Sequence, residues 1–215
     1  MDKAVIFDLD GTLLDTIDDI TDSINGMLNE FGYKAIDREQ VRQIIGSGAK
    51  KLIADALPEK LSDEEFIKRL ETYNRIYNAS GSPKTKLFGG IKEVVSELKK
   101  RGYKLAVLSN KPQHSTDKVA EKYLSGLGFD FIGGQSEKIK CKPDPAGALY
   151  VLQELGVKPE NAYLVGDGET DVLAAINAGL TGVCALWGNR TKAQLLAAGG
   201  TLFAETPSDI LKIIL

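Results

Sequence analysis

The sequence predicts an α/β fold, a Rossmann-like parallel sheet core interrupted after its first strand by an all-helical insertion. Three observations predict it. Ala4-Val5-Ile6-Phe7 is a continuous apolar run of the kind covered on both faces in a parallel sheet. From residue 104 onward, short apolar strands alternate with amphipathic helices, the pattern of βαβ units with right-handed crossovers. Between residues 16 and 82 that alternation stops, and only helical periodicity remains.

The elements follow in order. After the first strand, Ile17, Ile20, Ile24, Met27, Leu28 and Phe31 share one helical face. Val41, Ile44 and Ile45 mark a second helix, Gly46-Ser47-Gly48 a break, and Leu52, Ile53, Ala56 and Leu57 a third. Residues 64–77 make a fourth, and no strand pattern appears until beyond Pro83. Residues 16–82 therefore read as a small helical domain set into a core of residues 1–15 and 83–215, with hinges near Asp15 and Ser82-Pro83. The alternative arrangement packs the same helices on one face of the sheet. In the core, residues 90–101 place Ile91, Val94, Val95 and Leu98 on one face and end in a basic turn that suits the helix dipole. Strands are expected at 104–109, 129–133, 162–165 and 182–186, with a late edge strand at 201–204. Helices are expected at 145–155, 170–178 and 192–198, with Gly156 and Gly179 as C-terminal stops.

Composition narrows the functional classes. The chain has 215 residues, 43% of them hydrophobic, enough for a substantial core. Its net charge of −3 and lack of a concentrated basic run argue against a nucleic-acid surface. No apolar stretch approaches the roughly 20 residues of a membrane span, and the acidic start does not resemble a signal peptide. Cys141 and Cys184 stand far apart without a CxxC partner, as reduced structural thiols do. A cytoplasmic protein, monomer or homodimer, is expected.

The chemistry begins where the first strand ends. Asp8 and Asp10 are two carboxylates at the end of a buried strand, where each raises the other's pKa and a cation is wanted. Folding gives no reason for the pair; phosphoryl transfer does. One carboxylate attacks phosphorus, a metal holds the pair, and the second manages the leaving group's proton. Gly11, followed by Thr12, permits a sharp turn whose N–H groups can face an anion. Three later segments also fall at strand ends, where open parallel sheets bind ligands. Ser109-Asn110-Lys111 offers a hydroxyl and free N–H groups before Pro112, although Ser-Asn is also a common helix N-cap. Lys142, braced by Pro143, can reach a phosphate and the attacking carboxylate, although most lysines are simply solvated. Gly166-Asp167-Gly168-Glu169-Thr170-Asp171 sets two acids among small residues with room for a hydrated metal, although G-D-G is also an ordinary turn.

With these residues in this order, the chain resembles the haloacid dehalogenase-like hydrolases, which carry D-x-D-G-T, a strand ending in Ser or Thr, a later Lys, and G-D-x-x-x-D. The resemblance spans nearly the whole chain. It implies that the helical insertion is that family's small cap domain, and the segments Val41 to Gly48 and Asn110-Lys111-Pro112 resemble its phosphoglycolate phosphatase branch. It further implies a phosphatase acting on a small phosphorylated metabolite through an aspartyl-phosphate on Asp8. Mg²⁺ would be held by Asp8, the backbone carbonyl of Asp10, and Asp167. Ser109 and Lys142 would stabilise the transferring group, and Asp10 would serve as acid and base. Asp171 would orient Lys142 or a metal-bound water, and Glu169 would assist behind it. Gly11, Thr12 and Asn110 would line the phosphate site. In the insertion, Ser47, Gly48 and Lys50 are candidate substrate contacts: Gly48 for close approach, Lys50 to pair with a substrate carboxylate. Gly-Ser-Gly between helices also reads as a plain turn. His114 is expected on the surface and Trp187 in packing. Sugar phosphomutases, pyrophosphatases and nucleotidases share the core motifs. A phospho-receiver signalling module, the rival from another class, has no place for the insertion.

Overall fold

A computed structural model describes residues 2–215. Six parallel strands form the main sheet: β1 (Ala4–Phe7), β4 (Lys104–Pro112), β5 (Phe131–Gln135), β6 (Ala162–Gly166), β7 (Thr181–Ala185) and β8 (Leu202–Ala204). Their order is β5-β4-β1-β6-β7-β8, so strand order reverses between β1 and β6. Phe7 pairs with Val107 on one side and Val165 on the other, and Asp8 follows directly, its N–H donating to the Val165 carbonyl at 2.8 Å. The first pair of acids thus leaves the sheet at its topological switch point.

Alternation along β1 explains the two helical layers. Val5 and Phe7 join a core cluster with Ile91, Val94 and Leu98 of α5 (Ile91–Lys100) and Val119 of α6 (Gln113–Leu124). Ala4 and Ile6 face the opposite cluster, with Val151 and Leu152 of α7 (Pro145–Leu155) and Ala175 of α8 (Glu169–Ala178). A sheet buried on both faces has no use for polar residues inside its strands, so polar residues collect at the strand ends. The remaining core elements are α9 (Lys192–Ala197) and α10 (Asp209–Ile214), the latter packing Ile210 and Ile214 into the first cluster.

Four helices lie between β2 (Leu14–Asp15) and β3 (Lys86–Leu87): α1 (Ile17–Glu30), α2 (Arg38–Ile44), α3 (Ala49–Ala56) and α4 (Asp63–Ser80). Asp37 with Gln40, and Ser62 with Glu65, form capping boxes that start α2 and α4. The two chain crossings into this block pair as a short antiparallel ribbon, Leu14 with Leu87 and Asp15 with Lys86. That ribbon was not expected, because two-residue strands have no periodicity to detect. Asp19 of α1 also secures the return crossing, accepting from the Lys84 and Thr85 N–H groups and the Thr85 hydroxyl at 2.6–3.2 Å.

Other boundaries shift by small amounts. The strand expected at 129–133 lies two residues later, because Asp130 is occupied accepting from the Leu105 N–H and the Lys99 ammonium. Strand β4 runs three residues past its expected end at Ser109. Its pairing with β5 jumps from Leu108–Gly133 to Pro112–Gln135, so Ser109, Asn110 and Lys111 bulge out of the ladder beside the end of β1. Among the described residues no helix is long and apolar enough to cross a membrane.

Candidate active site

The carboxyl ends of β1, β4 and β6 converge on Asp8. Lys142, in the loop before α7, has a side chain only 2% exposed, and its ammonium lies 2.7 Å from Asp8 Oδ1 and 2.6 Å from Asp171 Oδ1. Asp171 Oδ2 in turn accepts from the Gly168 N–H at 2.9 Å. The expected contact between Asp171 and Lys142 is therefore present as a direct ion pair. Asp167 accepts from the Thr12 hydroxyl at 3.1 Å and from the Asn189 N–H and side-chain amide at 2.7 and 3.0 Å.

Small residues make this crowding possible. A Cβ on Gly166 would lie 2.1 Å from Asp171 Cγ, so only glycine lets the first turn of α8 close on β6. Gly11 has φ +88°, and a Cβ there would fall 2.2 Å from Asp167 Oδ2.

Oxygens of Asp8, Asp167 and Asp171 all lie within 4.8 Å of one another. One ammonium faces three carboxylates, an excess of negative charge that burial makes worse. Burial raises the Asp8 carboxyl well above the usual range; Lys142 opposes the rise, and Asp171 and Asp167 add to it. Burial, with Asp171 beside it, pushes Asp167 up to about 6. Burial works against the Lys142 ammonium too, but Asp171 and Asp8 outweigh it and hold the group above its ordinary value. An all-oxygen, anionic donor set with uncompensated charge suits a hard divalent cation such as Mg²⁺.

Asp10 stands apart from that cluster. Its Oδ1 accepts from the Thr16 hydroxyl at 2.7 Å, and its Oδ2 is paired with the Lys111 ammonium at 2.9 Å. The two acids of the D-x-D motif therefore face different partners, one toward the acidic cluster and one toward the helical block. Both carboxylate oxygens of Asp10 are thus engaged away from the acidic cluster.

A cleft of about 540 Å³, counted with its open mouth, lies between this centre and the helices. Asp8, Asp10, Ser109, Asn110 and Lys111 form its floor. Ile20, Ile45, Gly48, Leu52, Tyr73 and Tyr77 form much of its roof. Several expected contacts sit elsewhere. Thr12 is fully buried with its hydroxyl on Asp167, and Gly11 packs against Asp167 and Asn189, so both support the acidic cluster from behind. The Asn110 amide is fully engaged: it donates to the carbonyls of Gly46 and Lys142 and accepts from the Lys142 N–H at 2.6 Å. It joins the helical block to the lysine loop. Ser47 and Lys50 are exposed and do not line the cleft, because α3 turns Leu52, Ile53 and Ala56 inward and Lys50 outward. Gly48 does line it, where a Cβ would press to 3.1 Å from the Asn110 carbonyl.

Glu169 is also placed differently from expectation. It binds the Arg190 guanidinium at 2.8 Å, and Arg190 donates to the carbonyls of Arg42, Gln43 and Ile45 at the end of α2. His114 is exposed, and Trp187 packs against the core while its indole N–H donates to the Thr12 carbonyl at 3.0 Å. Burial raises both thiols, Cys184 to about 11, which works against the reactive thiolate form. Sequence reasoning named Lys111 only as part of a motif, without a partner for its side chain, and missed Thr16, Tyr73, Tyr77 and Arg190. Only Tyr73 and Tyr77 left a signal, a four-residue spacing that puts two aromatic rings on one face of α4.

The sequence model of the haloacid dehalogenase-like hydrolases matches residues 5–185 of this chain. Phosphoglycolate phosphatase 1 of Pseudomonas aeruginosa is 33% identical over 214 residues, covering 97% of this chain and 78% of that protein. The phosphoglycolate phosphatase of Aquifex aeolicus is 34% identical over 213 residues, covering 99% and 96%. Among solved structures, a haloacid dehalogenase-like family hydrolase from Streptococcus pneumoniae superposes with a TM-score of 0.88 at 26% identity, covering 100% of this chain and 99% of that one.

Proposed function

The chain belongs to the haloacid dehalogenase-like hydrolase family, and from that premise we propose that it is a cytoplasmic Mg²⁺-dependent phosphomonoesterase acting on a small phosphorylated acid of the phosphoglycolate type. The observation that carries the reading is the split of the D-x-D pair: Asp8 on Lys142 beside two further carboxylates, Asp10 on Lys111 and Thr16 across the cleft. A nucleophile and a proton donor for one displacement need that separation.

In the first step an Asp8 carboxylate oxygen attacks phosphorus, the bond from phosphorus to the leaving oxygen breaks, and Asp10 in its acid form protonates that oxygen. In the second step water attacks the phosphorus of the aspartyl-phosphate, Asp10 takes a proton from that water, and the bond to Asp8 breaks, restoring the carboxylate. Lys142 is placed to meet the spreading charge on the equatorial oxygens, with the Ser109 hydroxyl at the end of β4 as a second donor. Asp171 positions the Lys142 ammonium. Asp8, Asp167 and the Asp10 carbonyl would hold Mg²⁺, and the bound cation would supply the positive charge that lets a carboxylate approach a phosphate dianion. Residues 16–82 act as a cap whose apolar roof keeps bulk water from the first step.

The test is inorganic phosphate release with Mg²⁺ across phosphoglycolate, pyrophosphate, sugar phosphates and nucleotides, with Asp8→Asn as the control. Phosphoglycolate is expected to lead, and the variant to be inactive on every compound. Turnover by Asp8→Asn close to wild type would sink the mechanism.

A further inference from the structure

Two groups on the cleft wall have no part in the steps above. Lys111 projects from the bulge at the end of β4, where the chain has left its pairing with β5. Its ammonium sits 4.6 Å from the centre of the Tyr77 ring as well as on Asp10. An ammonium carries three donors, and Asp10 occupies one. The Tyr77 hydroxyl is buried without a hydrogen-bond partner among the described residues, which is rare for a buried phenol. Both residues line the cleft, and the surrounding roof of Ile20, Ile45, Leu52 and Tyr73 offers no other charge.

We infer that the Lys111 ammonium and the Tyr77 hydroxyl form the leaving-group subsite, and that they take the carboxylate of a short phosphorylated acid. This rests on the phosphatase reading. Lys111 touches Asp10, the group that protonates the leaving oxygen. A ligand group bound by Lys111 must therefore lie close to that oxygen, and in a glycolate leaving group a single methylene separates the two. One cation with one hydroxyl matches a carboxylate monoanion. A second phosphate dianion would ask for more positive charge than this wall holds. The subsite also replaces Lys50, which faces outward from α3.

The experiment compares kcat/KM for phosphoglycolate with that for ethyl phosphate, in which a methyl group stands where the carboxylate was. Wild type, Lys111→Met and Tyr77→Phe are each assayed with saturating Mg²⁺, together with an aryl phosphate. Wild type is expected to favour phosphoglycolate. Lys111→Met should shrink that preference about 10- to 100-fold, the loss expected for a charge-assisted hydrogen bond. Tyr77→Phe should shrink it several-fold, mainly through KM, with its unfolding temperature unchanged or higher because a buried orphan hydroxyl has gone. If Lys111 acts only through Asp10, Lys111→Met slows both esters alike and Tyr77→Phe keeps the wild-type ratio, and the subsite is overturned. Wild-type turnover of the aryl phosphate without preference for phosphoglycolate overturns the subsite and leaves the phosphatase standing. No Mg²⁺-dependent release from any of the three overturns both.

Discussion

Asp8 and Asp10 lie two positions apart, yet each pairs with a lysine more than a hundred positions away: Asp8 with Lys142, Asp10 with Lys111. Because burial and two neighbouring carboxylates work against the Asp8 charge, neutralising it should relieve the fold while destroying the chemistry. Asp8→Asn is expected to lose about 10³-fold or more in turnover and to keep or raise the unfolding temperature of the metal-free protein. Phosphate release and thermal unfolding check the two halves separately. Gly166→Ala tests the supporting geometry. Its methyl group would collide with Asp171, so a destabilisation of about 1–3 kcal/mol is expected, read by urea unfolding, together with lower turnover as Lys142 loses its partner. Asp8, Asp10, Asp167 and Lys142 could be singled out in the sequence because each sits at a strand end or in a loop beside one. The pairing of Lys111 could not, since a lysine one residue past Ser109-Asn110 looks like the solvated start of a helix.

Among the elements, the long helices were legible and the short connectors were not. Helices α1, α5 and α7 carry apolar residues at helical spacing over several turns, so their periodicity survives any packing. The β2–β3 ribbon, the bulge of β4 and helix α10 are too short or too irregular to leave a period. The sequence does not advertise the contact of Arg190 with α2 either. That guanidinium satisfies carbonyls at a helix end while Glu169, two residues from Asp167, holds it in place. Arg190→Ala is expected to speed amide exchange in the α2–α3 region and to raise KM several-fold, with kcat changing less. Exchange in that region equal to wild type would show that the contact does not hold the helices down.

At the scale of the molecule, the acidic centre couples stability to pH and metal. Asp167 has its pKa raised to about 6 in the folded chain, so between its unfolded value near 3.8 and about 6 the folded state binds more protons than the unfolded one. The stability of the metal-free protein should therefore fall as pH climbs through that window. If the proposed Mg²⁺ site exists, the ion binds the deprotonated carboxylates, and its stabilisation should grow over the same interval. Thermal unfolding in Mg²⁺ and in EDTA, at about pH 5 and about pH 7.5, gives the comparison: a larger Mg²⁺ shift at the higher pH is expected, and equal shifts would refute the linkage. Activity should vanish in excess EDTA and return with added Mg²⁺.

By itself the sequence determined the alternation of strands and helices, the helical insertion, and the acids, hydroxyl and lysine at the strand ends. These follow from local periodicity and from the cost of placing charge inside a doubly covered sheet. Only the tertiary structure decided which partner each charge meets. Asp10, Tyr77 and Lys111 come from a turn, a helix of the insertion and a bulged strand. Their contact depends on how the insertion seats on the core, and no spacing along the chain encodes that.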